Sequence, residues 1–193
     1  MGFLAEIFMK PIQQTVLQIA PKFLGLIEKP NNSGFYDHEV IYKLTGMHPE
    51  ELMLSAGWKY GQAWCAMMPE IIWKLAYAKF DLMVIDELDG LFSASVAQTM
   101  SNFERSGKWL INDTPDFGSI AIWRYFDKNG NMKQEGHEGL VFNFAHDFIQ
   151  TYDGNTNAAG GREGVEFAAK KRVLDFTPRP GLVLQSFIHL RDV

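Results

Sequence analysis

One thiol, one glycine-flanked imidazole and a carboxylate/amide pair stand in that order along the chain. They are Cys65, the only cysteine of 193 residues, His137 within Gly136-His137-Glu138-Gly139, and Asp153 and Asn155 within Tyr152-Asp153-Gly154-Asn155-Thr156. A thiol becomes a strong nucleophile only as thiolate, and a histidine within hydrogen-bond reach acts as base and as stabilising cation. A third polar group then holds the imidazole in the useful tautomer. These residue types suit a cysteine hydrolase. Taken singly each has a plainer reading: a small buried hydrophobe, a structural histidine and a turn.

Cys65 stands just ahead of an apolar run, and a helix is expected over residues 66–80. A thiol at a helix amino terminus meets unpaired N–H groups, which favour the thiolate and can donate to an oxyanion. Pro69 fits that helix only within its first turn, where no intrahelical donor is lost. Gln62 is a candidate oxyanion donor through its side-chain amide, and Tyr60 and Trp64 are candidate groove residues. On a strand, Asp153 and Asn155 would share a face, so either can orient His137.

The elements that must position these groups fall into two halves. Residues 12–28 read as one or two short helices broken at Pro21, followed by a loop over 29–34. Further helices are expected over 38–44, 49–56 and 93–103. From Ser119 the composition turns β-branched and aromatic, and Asn129-Gly130 marks a hairpin. His137 opens the next strand, with Leu140 to Phe144 its apolar part. More strands follow at 148–152 and 183–190. Helices first and an antiparallel sheet afterwards predict an α+β fold, with residues 1–19 a helical extension and 20–193 one catalytic domain.

The formal net charge of −5 leaves no basic footprint for nucleic acid. A single thiol excludes a disulfide framework and a multi-cysteine zinc site. Asp127, Asn129 and Asn131 have calcium-loop spacing, with Glu138 at the twelfth position, but Met132 stands where that loop requires glycine. No cofactor or metal is therefore expected. The first twenty residues lack the basic region and unbroken apolar run of a signal peptide, and no transmembrane segment is expected.

The chain resembles the CHAP family, the cysteine- and histidine-dependent amidohydrolases/peptidases that cut peptidoglycan, in its compact bacterial and phage forms. Ala63-Trp64-Cys65-Ala66 is similar to the family's Pro-Trp-Cys-Ala. Gly136-His137-Glu138-Gly139-Leu140-Val141 resembles Gly-His-Val-Gly-Ile-Val, and Asp153-Gly154-Asn155-Thr156 resembles Glu-Gly-Asn-Thr. Weaker likeness extends to residues 25–34, 115–121 and 187–188, so it spans roughly residue 20 onward. Three departures stand out: Asp153 for the commoner glutamate, Glu138 for an apolar residue, and Pro69 in the helix.

The resemblance implies a papain-like fold with Cys65 as nucleophile, His137 as base and then acid, and Asp153 and Asn155 orienting the ring. It implies an endopeptidase or N-acetylmuramoyl-L-alanine amidase acting on peptidoglycan. Such an enzyme would be made in the cytoplasm and act at the bacterial wall as a phage endolysin or virion component, with a virion or a holin/injection system as partner. Two other classes use the same residues: a cysteine protease or acyl-transferase acting on protein, and a catalytically decayed structural protein.

Overall fold

A computed structural model describes residues 9–156 and 164–192. Pro11 starts α1 (Pro11–Ile19), where its missing donor costs nothing, and a 3-10 turn over Ala20–Phe23 absorbs Pro21. Short helices α2 (Glu39–Thr45) and α3 (Pro49–Ser55) follow, then α4 (Met67–Tyr77), α5 (Leu82–Asp89) and α6 (Val96–Ser106). The Ser95 side chain caps α6 by accepting from the Gln98 N–H, and Gly107, at φ +63°, closes it. Residues 29–34, read as loop, contain one further 3-10 turn at Pro30–Asn32.

Six strands form one antiparallel sheet: β1 (Ile111–Asn112), β2 (Ile120–Phe126), β3 (Met132–Phe144), β4 (Phe148–Thr156), β5 (Glu166–Val173) and β6 (Gly181–Ile188). Their spatial order is β1-β6-β2-β3-β4-β5. The fold is therefore α+β, with helices gathered on one face of the sheet. That face contributes Ile120, Ile122, Leu140, Phe167 and Ile188 to the main core, together with Ile71, Ile72 and Trp73 of α4. The opposite face carries a smaller cluster around Ala121, Trp123, Val141, Ile149 and Phe187.

One aromatic cluster holds α4 and α6 together at the sheet. Trp73 stacks on Trp109 at 5.4 Å, Phe103 meets both edge-on, and the Trp73 indole donates to the Gly118 carbonyl at 2.9 Å. Each such ring contributes area-driven stabilisation of a few kcal/mol, and the indole bond fixes the register of α4 against the entry to β2. Pro69 is the third residue of α4, inside the first turn as its chemistry requires.

Residues 11–19 are not an appendage. Ile12, Val16 and Ile19 of α1 are at most 1% exposed and belong to the main core, and the Gln13 amide donates to Asp116 at 2.7 Å. The apolar stripe of α1 is buried against α4. Among the described residues no helix is long and apolar enough to cross a membrane.

Candidate functional site

Cys65 directly precedes Ala66, the N-cap of α4. The turn that carries it is clamped from behind. Trp64 is fully buried, its indole donates to Glu28 at 3.1 Å, and its ring meets Phe35 edge-on at 5.2 Å. Gly154 makes this packing possible, since a Cβ there would lie 2.7 Å from Met68 Cγ and 2.9 Å from the Trp64 ring. Cys65 itself retains 8% exposure and lines a cleft of about 1000 Å³.

The imidazole comes from β3. Pairing of β3 with β4 stops at Gly139 opposite Asp153. Just past the end of that ladder the Glu138 N–H is directed at the Cys65 sulfur, which also takes the Ala66 N–H and a hydrogen bond with the His137 ring. His137 Nε2 lies 3.0 Å from Asp153 Oδ2. A buried carboxylate can only accept, so Nε2 carries the proton and Nδ1 is left for the thiol. Both glycines beside His137 are sterically required. A Cβ at Gly136 would lie 2.4 Å from the Trp123 carbonyl, and one at Gly139 would lie 2.3 Å from Asp153 Oδ1.

The electrostatics follow from this geometry. Burial pushes the Cys65 thiol up, but the hydrogen bond and charge of His137, with the two backbone N–H groups, bring it below its ordinary value. Burial likewise lowers His137, and the Asp153 charge and hydrogen bond, aided by Cys65, override it and raise the imidazole to about 9. Asp153 is fully buried; His137 and Arg172 overcome that burial and hold its carboxyl near about 2. The three groups thus favour one another's charged forms, the thiol and the carboxyl being lowered and the imidazole raised.

The remaining sequence candidates fall elsewhere. Asn155 lines the cleft but makes no hydrogen bond with His137 among the described residues. Its backbone is left-handed at φ +50°, and the β4–β5 register slips between Asp153 and Thr156, so the alternation that would put residues 153 and 155 on one face is broken. Gln62 does not line the cleft; the Trp58 indole donates to its carbonyl at 2.7 Å. Tyr60 is 57% exposed and donates to Glu50 at 2.5 Å, outside the cleft lining. Trp64 is core rather than groove.

The Asp127–Asn131 segment is a hairpin turn: Asp127 accepts from the N–H groups of Asn129 and Asn131 and pairs with Lys133. Glu138 is buried on the helix-facing side, so no calcium loop forms. Among the described residues no group of three His, Cys, Asp or Glu side chains could hold a metal ion.

Two contributors were missed in the sequence. Arg172 on β5 meets Asp153 through its Nε at 3.2 Å and through Nη2. Its signal was the basic run Lys170-Lys171-Arg172 beside alternating burial. Glu138 was noted only as a departure, yet its carboxyl is sealed beneath the thiol. The Thr99 hydroxyl is its polar neighbour but already donates to the Ser93 carbonyl at 3.1 Å, so both carboxyl oxygens lack a hydrogen bond. Burial, reinforced by the Cys65 charge, holds Glu138 well above the usual carboxylate range. No family model matches the chain, and neither a curated protein nor a solved structure matches it significantly.

Proposed function

We propose that this protein is a papain-like cysteine amidohydrolase that cleaves an amide bond in peptidoglycan, as endopeptidase or N-acetylmuramoyl-L-alanine amidase, in the service of a phage lysin or virion-borne wall-opening activity. The observation that carries the chemistry is the contact chain from Cys65 through His137 to the buried Asp153, with Cys65 and His137 lining the cleft. The choice of peptidoglycan rests on the three motif resemblances around those residues.

The steps follow from the positions. The Cys65 thiolate attacks the scissile carbonyl, and the tetrahedral oxyanion is held by N–H groups at the start of α4. His137, protonated through Nδ1, gives that proton to the departing amine as the C–N bond breaks. The neutral ring then takes a proton from water, whose oxygen attacks the acyl-thioester; the C–S bond breaks, releasing the acid and restoring the Cys65 thiolate beside protonated His137. Asp153 keeps the imidazole in the Nε2–H tautomer throughout.

Purified sacculi and casein, incubated separately with the protein, test the reading through new free amines, with mass spectrometry of the sacculus fragments naming the bond. Release from sacculi that disappears in Cys65→Ala is the expected result. Release from casein alone would instead make the protein a protease. A Cys65 thiol that alkylates like free cysteine would point to a decayed scaffold.

A further inference from the structure

Asp153 Oδ2 serves three donors: His137 Nε2 at 3.0 Å, Arg172 Nε at 3.2 Å, and Arg172 Nη2. The guanidinium lies 4.9 Å above the centroid of the Trp123 ring, whose own centroid is 5.9 Å from that of His137. Trp123 is the cross-strand partner of His137, so one indole floors both cations. Arg172 is only partly exposed and lines the same cleft as Cys65. The hydrolytic steps above do not use it.

We propose that Arg172 is a positioning residue of the thiol site: its fork fixes Asp153 against His137 and completes an alternating chain of four charges, Cys65, His137, Asp153 and Arg172. The inference rests on Cys65 being the activated nucleophile. A cation at the far end of the chain has two effects. It prevents the buried carboxylate from turning away from the imidazole, since two of its three hydrogen bonds come from a planar, rigid group. It also makes the ionised chain neutral overall, so the thiolate forms without leaving a net negative charge in a buried site.

The other ionisable groups near the chain are Glu138 and Glu70 on the helix side, and Tyr125, Glu135, Glu166, Lys170 and Lys171 along the cleft. None of them shares an oxygen of Asp153 in the hydrogen bonds above. A merely structural Arg172 would compensate the buried Asp153 for stability and leave the thiol titration where it is.

The discriminating measurement is the rate of Cys65 alkylation by iodoacetamide from pH 4 to 9, on the intact chain and on Arg172→Gln and Arg172→Lys. Wild type is expected to titrate well below the ~8.5 of a free thiol. Arg172→Gln is expected to raise the midpoint by about one pH unit, slowing alkylation roughly tenfold on the acid limb. Arg172→Lys, which restores charge without the fork, is expected to recover most of the midpoint. An unchanged midpoint in folded Arg172→Gln, beside a depressed one in wild type, overturns the role of Arg172 alone. A wild-type midpoint near ~8.5 overturns the nucleophile and with it this inference. Should Arg172→Gln fail to fold, the wild-type Arg172 Nε–H resonance decides: it should titrate with Cys65 and stop doing so once the thiol is alkylated, and the lack of any response overturns the proposal.

Discussion

Replacing Gly139 by alanine tests the geometry of the site with a single carbon atom. The added Cβ would sit 2.3 Å from Asp153 Oδ1 and 3.2 Å from both Asp153 Cγ and Thr151 Cβ. An ordinary contact needs roughly 1 Å more, and the interior around it is close-packed. The strand cannot yield easily, because Gly139 is paired with Ala121 on one side and Asp153 on the other. The carboxylate must therefore retreat, stretching its 3.0 Å bond to His137 to roughly 4 Å, beyond hydrogen-bond range. A misplacement of about 1 Å in such a group costs on the order of 10²-fold in rate, with about 10⁴-fold the limit set by losing the orienting carboxylate outright. Overpacking adds about 1–3 kcal/mol of destabilisation, so rates are compared well below the melting temperature. Gly130→Ala is the control: its φ of +80° strains any side chain, but nothing lies within 4 Å and the position is in the distant β2–β3 turn. Initial rates of amine release from sacculi, with Cys65 alkylation at pH 6, read the outcome. A folded Gly139→Ala that keeps the wild-type rate, or falls no further than Gly130→Ala, would refute the reasoning.

Other perturbations separate charge from shape. Asp153→Asn keeps the volume but removes the charge that raises His137; alkylation of Cys65 below pH 7 should slow at least about tenfold, and an unaltered acid limb would contradict the assignment. Glu138→Leu should stabilise the protein by about 1–3 kcal/mol near pH 8, because it removes a buried carboxyl without partners. Since Glu138 is raised in the folded state, wild type loses stability as pH rises above the unfolded value of ~4.5, so the gain should shrink toward that pH; urea titrations showing a pH-independent difference would sink this. The His137 contribution has the opposite partner but the same sense: raised to about 9, it is complete below ~6.5 and fades as pH climbs through about 9, which denaturation of wild type against His137→Gln should show. Glu28→Ala leaves the buried Trp64 indole without its acceptor; about 1–3 kcal/mol should be lost and kcat reduced with the thiol midpoint unmoved, whereas a shifted midpoint would place Glu28 in the electrostatics of the site.

The parts of this molecule that were legible in the sequence are those where local preference and tertiary demand agree. The apolar spacing of α4, the β-branched run of β2 and the Asn129-Gly130 turn all point the same way at both levels. β5 is the opposite case. Ala168-Ala169-Lys170-Lys171-Arg172 has the composition of a helix, yet it pairs residue by residue with β4 at the sheet edge, where lysines discourage further pairing. β3 also begins five residues before His137, which the sequence hides because Met132 to Glu135 are exposed, Lys133 to Glu135 are charged or polar, and no apolar alternation marks them. α5 is hidden in the sequence because its first residues, Leu82 and Met83, are apolar yet lie outside the buried face, at 68% and 76% exposed, which blurs the amphipathic pattern.

The site repeats that division. Cys65, His137 and Asp153 could be singled out because residue type and order alone suggest their chemistry. Asn155 was given equal standing with Asp153 because a regular strand alternates faces, and a left-handed residue at a register slip is invisible to that rule. Arg172 leaves only the basic run Lys170-Lys171-Arg172 as its mark, on a strand whose composition reads as helix, so nothing in the sequence ties it to Asp153.

A fully buried carboxylate would ordinarily be an expensive thing to place in a protein. Asp153 is tolerated because a cation stands on either side of it, and each of those cations is tolerated because of Asp153. Within such a row the only charge not flanked on both sides by its opposite, besides Arg172 at the cleft edge, is the Cys65 thiolate, and it is the one that reaches the cleft. Glu138 makes the same point from below. Were it ionised, a second anion would sit against the sulfur and favour the protonated thiol; sealed in without donors, Glu138 is biased toward its neutral form, which spares the sulfur that repulsion. The electrostatics at Cys65 are therefore set as much by which neighbour is denied hydrogen bonds as by which is granted them.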